Sequence, residues 1–461
     1  MVGLYRDAIE EPTGLELKSG IILFLFLMAI SIPLAVAYGV YDYRFALAVF
    51  IALAGIIGLI LFYNVRTFSM VILPLYYLVI IDHVYFALII LLVIAFLAER
   101  TNRANFSLEV PHPLLLFILL VAGANGVVRA VDRDMGRYEF EFAYILPIIA
   151  FIIFYNLRPT NMGMKIYLSI ITAATALIGW ISLALWIQTG IPRQVFRWDS
   201  QNTAGCFMGM VLPFALLALL DAKSKGSRIM WLVIFWGVFA GILVTQTRAV
   251  LVSLFIAIVY ISFKDRRILK VILPALLVVG IALPSLIIYR LALLLGLGDT
   301  PDWSSVGRVE IWLNSIQYIP KYFLLGMGMD SFRILYSIDF PYSFVSAIHA
   351  HNQYLRWLFD IGIFGLAAFL AIIFKTMSKA MRAVKEYLAP EVVEDRRLLL
   401  AINGGLISGL AASMVDATLV QTPSALFLWS MLAFQLVTVA RMKETVHSIS
   451  SEIKSPAFQA R

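Results

Sequence analysis

Cysteine occurs once in this chain, at Cys206, so no intrachain disulfide is possible. Its apolar surroundings mark a small buried hydrophobe, not a reactive thiol. Charge is scarce too: 14% of the 461 residues are charged, against about 25% in soluble domains. No domain-sized polar segment separates the apolar runs that recur from residue 20 to residue 440, which excludes a soluble module. The polar/apolar alternation of lipid-facing strands is missing, and with it a transmembrane barrel. A basic stripe is also missing: the net charge of +8 is scattered over short loops, so no nucleic-acid partner is expected. No internal repeat is visible.

With 62% hydrophobic residues, the chain reads as an all-α, polytopic transmembrane helix bundle forming one integral membrane domain over 1–461. Apolar runs suited to about 30 Å of hydrocarbon lie at 20–38, 45–63, 67–81, 84–98, 113–129, 142–157, 165–188, 202–220, 229–245, 249–263, 269–289, 352–374, 398–416 and 423–440. The short third and fourth runs meet at Asp82 and His83, so 12 to 14 helices are expected. The first run follows a head bearing Glu10, Glu11 and Glu16 without a basic n-region or cleavage site, and is read as a retained helix.

Placing the N-terminus in the cytoplasm and alternating sides puts Arg66, Lys165, Lys223, Lys225, Arg228, Lys264, Arg266, Arg267 and the cluster from Lys375 to Arg397 inside, as the positive-inside rule requires. The outer side then holds arginines in particular: Arg129, Arg133, Arg137, Arg193, Arg197, Arg248, Arg290, Arg308 and Arg333. A guanidinium grips phosphate or carboxylate bidentately, so an outward-facing anion is expected. The longest connection, 290–351, faces outside and should bear part of the site; within it VEIWLNSIQYI has helical spacing and precedes the glycine turn LLGMGMDSF. Residues 375–397 read as a cytoplasmic amphipathic linker, and 441–461 as a polar, disordered cytoplasmic tail.

Polar constellations gather on the outer side: RWDSQNTAG with Arg197 and Asn202, TQTRAV with Arg248 in a tight turn, SSVGRVEIW with Arg308, and SAIHAHNQYLRW with His349, His351 and Asn352. Arg248 is the sharpest single signal, since a guanidinium between two apolar runs needs an anionic partner or a path to the interface. Arg193 and Arg290 are candidates of the same kind, whereas Arg129, Arg133 and Arg137 alternate with Asp132 and Asp134 and read as a surface ion-pair cluster. His349 and His351 lack the further ligands of a zinc set, so neither metal nor cofactor is expected. The histidines could cap a helix or sit at the membrane boundary. The favoured reading is general base catalysis by an imidazole at a helix N-terminus, where the dipole disfavours its cation. Arg356 and Asp360, spaced i,i+4, read as a structural pair, and Gly362 and Gly365 as close-packing residues. Asp416, near an outer helix end, could orient a base or an acceptor hydroxyl.

At Asn202, TQTRAV, GRVEIW, LLGMG and HAHNQYLRWLFDIGIFG, over roughly residues 195–375, the chain resembles the O-antigen ligase and polymerase superfamily, and the O-antigen ligases most. The resemblance implies a bacterial inner-membrane enzyme with about a dozen helices, cytoplasmic termini and a periplasmic active site. It implies transfer of a glycan from undecaprenyl pyrophosphate to lipid A-core, metal-independent and inverting. It assigns the base to His351 and the key arginines to Arg248 and Arg308. Separately, the outer-side residues His349, Asn352, Arg197, Asn202, Arg193 and Arg290 are read as substrate-binding candidates. Thr247 stands where the family commonly has serine. Rival readings are an O-antigen or exopolysaccharide polymerase, a protein O-oligosaccharyltransferase, and, from another class, a polysaccharide or lipid transporter or flippase; against transport, the charges gather on one face and not at the bilayer midplane.

Overall fold

The computed structural model describes residues 65–80, 82–101, 107–191, 193, 195, 196, 198, 200–274, 303–343, 345 and 347–453. The expected spans 20–38 and 45–63, the greater part of 269–289 and the start of the long connection lie outside the described residues. By its contacts the chain divides into two units, Met1–Phe68 and Ser69–Arg461. The site lies in the second.

Among the described residues every regular element is helical, as the composition demands: α1 Val65–Ile72, α2 Tyr76–Val79, α3 Asp82–Thr101, α4 Pro113–Arg129, α5 Arg133–Leu157, α6 Asn161–Thr189, α7 Gln201–Asp221, α8 Lys225–Thr245, α9 Arg248–Ser262, α10 Trp303–Ile316, α11 Ile319–Tyr322, α12 Ser331–Asp339, α13 Gln353–Glu386, α14 Val393–Ala412 and α15 Thr422–Ile453. Six of them, α5, α6, α7, α8, α13 and most of α15, are long and apolar enough to cross a membrane. The chain is a helical membrane protein. Short polar caps start these helices where the apolar runs begin: Thr160, Ser200 and Ser224 each accept a hydrogen bond from a backbone N–H three residues on, opening α6, α7 and α8. Helix α7 is apolar on nearly every face and correspondingly buried, which makes it a central strut of the bundle.

Two sets of polar contacts lie at opposite ends of these helices. At one end, Arg441 pairs with Asp395, Lys165 with Glu394, and Arg267 and Arg397 with Asp221. The other end holds the start of α7, the α8–α9 turn, the start of α13 and the α14–α15 connection, joined by Asn202, Thr247, His351 and Asp416.

Several boundaries differ from the sequence reading. The span at 142–157 begins earlier, because α5 runs on from Arg133 through a π-helical turn at Glu141–Ile145. The linker expected from residue 375 is helical to Glu386 as a continuation of α13, and only the stretch around Pro390 breaks it. The expected tail after residue 441 continues α15 to Ile453, since no glycine or proline follows Arg441 before Pro456. The basic-acidic cluster at 129–137 is less an ion-pair network than a set of local anchors: Asp132 caps α5, Arg137 pairs with Glu141, and Arg129 donates to the Gly326 carbonyl.

The long connection packs as a small cap of its own, around Ile311, Tyr318, Phe332, Tyr336 and Phe359. It is threaded into a break in α13. At Gly362 the backbone turns to φ 68, so the helical bond from the Ile363 N–H to the Phe359 carbonyl is not made. Ile363 N donates instead to Phe323 O at 2.8 Å, and Phe359 O accepts from Met327 N at 2.6 Å. A Cβ at Gly362 would lie 2.3 Å from Leu324 O, so both conformation and space demand glycine there. Met329 N completes the seam on Gly126 O of α4.

Candidate active site

His351 sits just ahead of Asn352, the cap of α13, with φ 43, a left-handed conformation uncommon outside glycine. The strain is held by its neighbours. Asn352 caps α13, its Oδ1 accepting from Tyr354 N and Leu355 N, while its Nδ2 donates to Met414 O at 2.9 Å. Gln353, fully buried, donates its N–H to Ser413 O and accepts from Leu419 N through Oε1. Together these bonds clamp the 413–419 connection against the start of α13. From the other side Trp312 of α10 donates its indole N–H to Ala350 O at 2.9 Å.

This clamp brings Asp416 to the histidines. Its Oδ1 lies 3.3 Å from His351 Nδ1 and 3.7 Å from His349 Nε2, and accepts from Ala417 N at 2.8 Å. Asn202 Nδ2 donates to Oδ2 at 2.5 Å, and Asn202 Oδ1 in turn accepts from Thr247 Oγ1 at 3.2 Å. Thr247 occupies the cap position of α9, and Arg248 is its first helical residue. A continuous polar chain therefore runs from the arginine-bearing turn through Asn202 and Asp416 to His351.

Burial disfavours the Asp416 carboxylate, but the His351 hydrogen bond, the nearby imidazoles and the Ala417 N–H outweigh it and hold its pKa at about 2. An ionised carboxylate can only accept. The His351 nitrogen facing it, Nδ1, is therefore the donor, and Nε2 is the nitrogen not engaged by the carboxylate. The His351 side chain is 28% exposed against 9% for Asp416, so the imidazole can reach a ligand that the carboxylate cannot. His349 differs. Burial first, then the charges of Arg356, His351 and Arg308, push its pKa down to about 3 against the pull of Asp416. Its Nδ1 accepts from the His351 N–H, so it supports the strained turn as a neutral ring.

Arg308, on α10, is close enough for its charge to act on His349, and both it and Arg248 are half-buried. Arg193 lies in the α6–α7 connection, at φ 68; Arg197 and Arg290 lie outside the described residues. Asn352 spends its amide on capping. Asp416, which the sequence reading offered as a group that could orient a base, stands beside His351, whereas Glu139 was missed. The latter takes Arg356 Nη2 at 2.6 Å beside the expected Asp360 contact at 3.4 Å, and so ties α13 to α5 beneath the site. An acid beside an apolar helix end was the available signal for it.

His349, His351 and Asp416 offer one ligand atom each within 4.8 Å of one another, a set that could hold a divalent cation. Asp416 already receives donors from Asn202, Ala417 and His351, which fits a hydrogen-bonded dyad.

Fold and site define a polytopic helical membrane protein with a His-Asp dyad set near arginine-bearing helix starts. Residues 233–370, less than half of the chain, match the family model described as O-antigen ligase. The matched stretch includes Arg248, Arg308, His349 and His351 and leaves out Asn202 and Asp416. No curated protein matches the chain.

Proposed function

We propose that the protein is an O-antigen ligase that transfers a glycan from undecaprenyl pyrophosphate to a hydroxyl of lipid A-core, on the periplasmic side of a bacterial inner membrane. The observation that carries this reading is the Asp416–His351 pair, which engages Nδ1 and leaves Nε2 for a substrate at the end of the bundle where Arg248 also sits. The acceptor hydroxyl attacks the anomeric carbon while its proton passes to His351 Nε2. The anomeric C–O bond breaks on the opposite face, its electron pair leaves with the pyrophosphate, and the configuration inverts. Arg248 and Arg308 meet the negative charge that grows on the departing oxygen, in a water-poor setting where such contacts act most strongly. Asp416 stabilises the imidazolium formed, as an orienting carboxylate does in a catalytic triad. No step calls for a metal.

The test is incubation of purified protein with the lipid-linked glycan and lipid A-core in detergent. A heavier lipid A-core conjugate, absent with His351→Ala, is the expected product. Elongated glycan without conjugate would indicate a polymerase, and a glycosylated protein acceptor an oligosaccharyltransferase.

A further inference from the structure

At the end of α13 remote from His351, a cavity of about 500 Å³ opens between this helix and the start of α4. Half of its lining residues are cationic, Lys375, Lys379 and Arg382, and the others are Ser378, His112 and Phe374. The three cations fall at i, i+4 and i+7, so they share one face of α13. None of them pairs with a carboxylate among the described residues, whereas neighbouring cations at this end do, as in Lys165–Glu394 and Arg441–Asp395. His112 closes the floor, its Nε2 3.2 Å from Thr376 Oγ1, and it opens α4, whose N-terminal end is the positive end of a 17-residue helix. Burial, Lys379 and Lys375 all push the His112 pKa down, so the ring stays neutral in a positive field.

The surroundings are apolar. Phe374 is 57% exposed, and Leu114 and Phe117 further along α4 are exposed as well. From Gln353 to Ser378 a helix rises by about 38 Å, enough to carry the cations from one membrane face to the other. A cationic groove beside exposed aromatic and aliphatic side chains matches a ligand with a phosphate head and hydrocarbon tails.

We propose that the Lys375–Lys379–Arg382 groove is a binding site for an acidic phospholipid, its phosphodiester held by the three cations and its acyl chains lying on Phe374 and the start of α4. The groove is separate from the catalytic dyad and its occupancy does not depend on the transfer reaction. A site of this size accommodates a phosphoglycerol headgroup.

The full-length protein is reconstituted in nanodiscs of phosphatidylcholine with a minor fraction of phosphatidylglycerol, then extracted, and its retained lipid is measured by native mass spectrometry. The groove variant combines Lys375→Gln, Lys379→Gln and Arg382→Gln. A control removes the same charge elsewhere, through Lys225→Gln, Arg228→Gln and Lys264→Gln. Melting temperature in pure phosphatidylcholine confirms that each is folded. Phosphatidylglycerol should be enriched on the native protein by on the order of tenfold to a hundredfold, from about fivefold per cation near an anionic surface. That enrichment should be lost in the groove variant and kept in the control. No enrichment, equal loss in both variants, or displacement of the lipid by inorganic phosphate would overturn the proposal; the last would mean a site for small anions.

Discussion

Asp416 Oδ1 and His351 Nδ1 lie 3.3 Å apart although 65 residues separate them in the chain. The contact decides which imidazole nitrogen is free. Asp416→Asn should leave the protein folded but let the imidazole adopt the other tautomer, lowering kcat by roughly 10²-fold to 10⁴-fold with little change in KM. Asp416→Glu should recover part of the loss. Steady-state kinetics on both variants check this, and an asparagine variant with native kcat would remove Asp416 from the mechanism.

His351→Ala should abolish transfer, whereas His349→Gln should cost less than about tenfold, because a neutral supporting ring carries no proton in the reaction. Equal and complete loss in the two variants would undo the assignment of the base.

Stability should fall with acid in two windows. His349 has its folded pKa lowered to about 3, so the unfolded chain binds a proton near pH 6.5 that the folded protein refuses. Its contribution is full above about pH 6.5 and declines toward pH 3, by at most about 1.4 kcal/mol per pH unit. Asp416, held at about 2, adds a loss between about pH 4 and 2, as protonation removes an ionised partner. Thermal unfolding across this range should be flatter for His349→Gln above pH 4; an unchanged profile would contradict the assignment.

Arg248→Lys and Arg308→Lys should each lose on the order of 10²-fold in rate, nearly as much as the alanine variants, if a planar fork is what grips the pyrophosphate. A fully active lysine variant would show that charge alone suffices. Chelator should leave the native rate unchanged. Inhibition by chelator would instead assign His349, His351 and Asp416 to a metal.

Gly362→Ala should lower thermal stability strongly, by roughly 1–3 kcal/mol for the backbone alone, because φ 68 disfavours alanine and its Cβ would strike Leu324 O. The loss should come with faster proteolysis between residues 303 and 343, which an alanine at exposed Gly226 should not cause.

What the sequence determined by itself is local. Apolar length marked the helices over 113–129, 202–220 and 229–245 to within a few residues, because it depends only on neighbours in the chain. Residue chemistry singled out His351, Arg248 and Arg308. Tertiary structure decided which helix ends meet. Asp416 becomes the partner of His351 only when Gln353 and Asn352 clamp the 413–419 connection, and Glu139 reaches Arg356 across 217 residues. Gly362, read as a packing residue, is the break through which residues 323–329 are threaded, a backbone exchange that no periodicity encodes. Such pairings are set by the packing of helices far apart in sequence, so the dyad and its proton are properties of the fold, and the residues able to form it are properties of the chain.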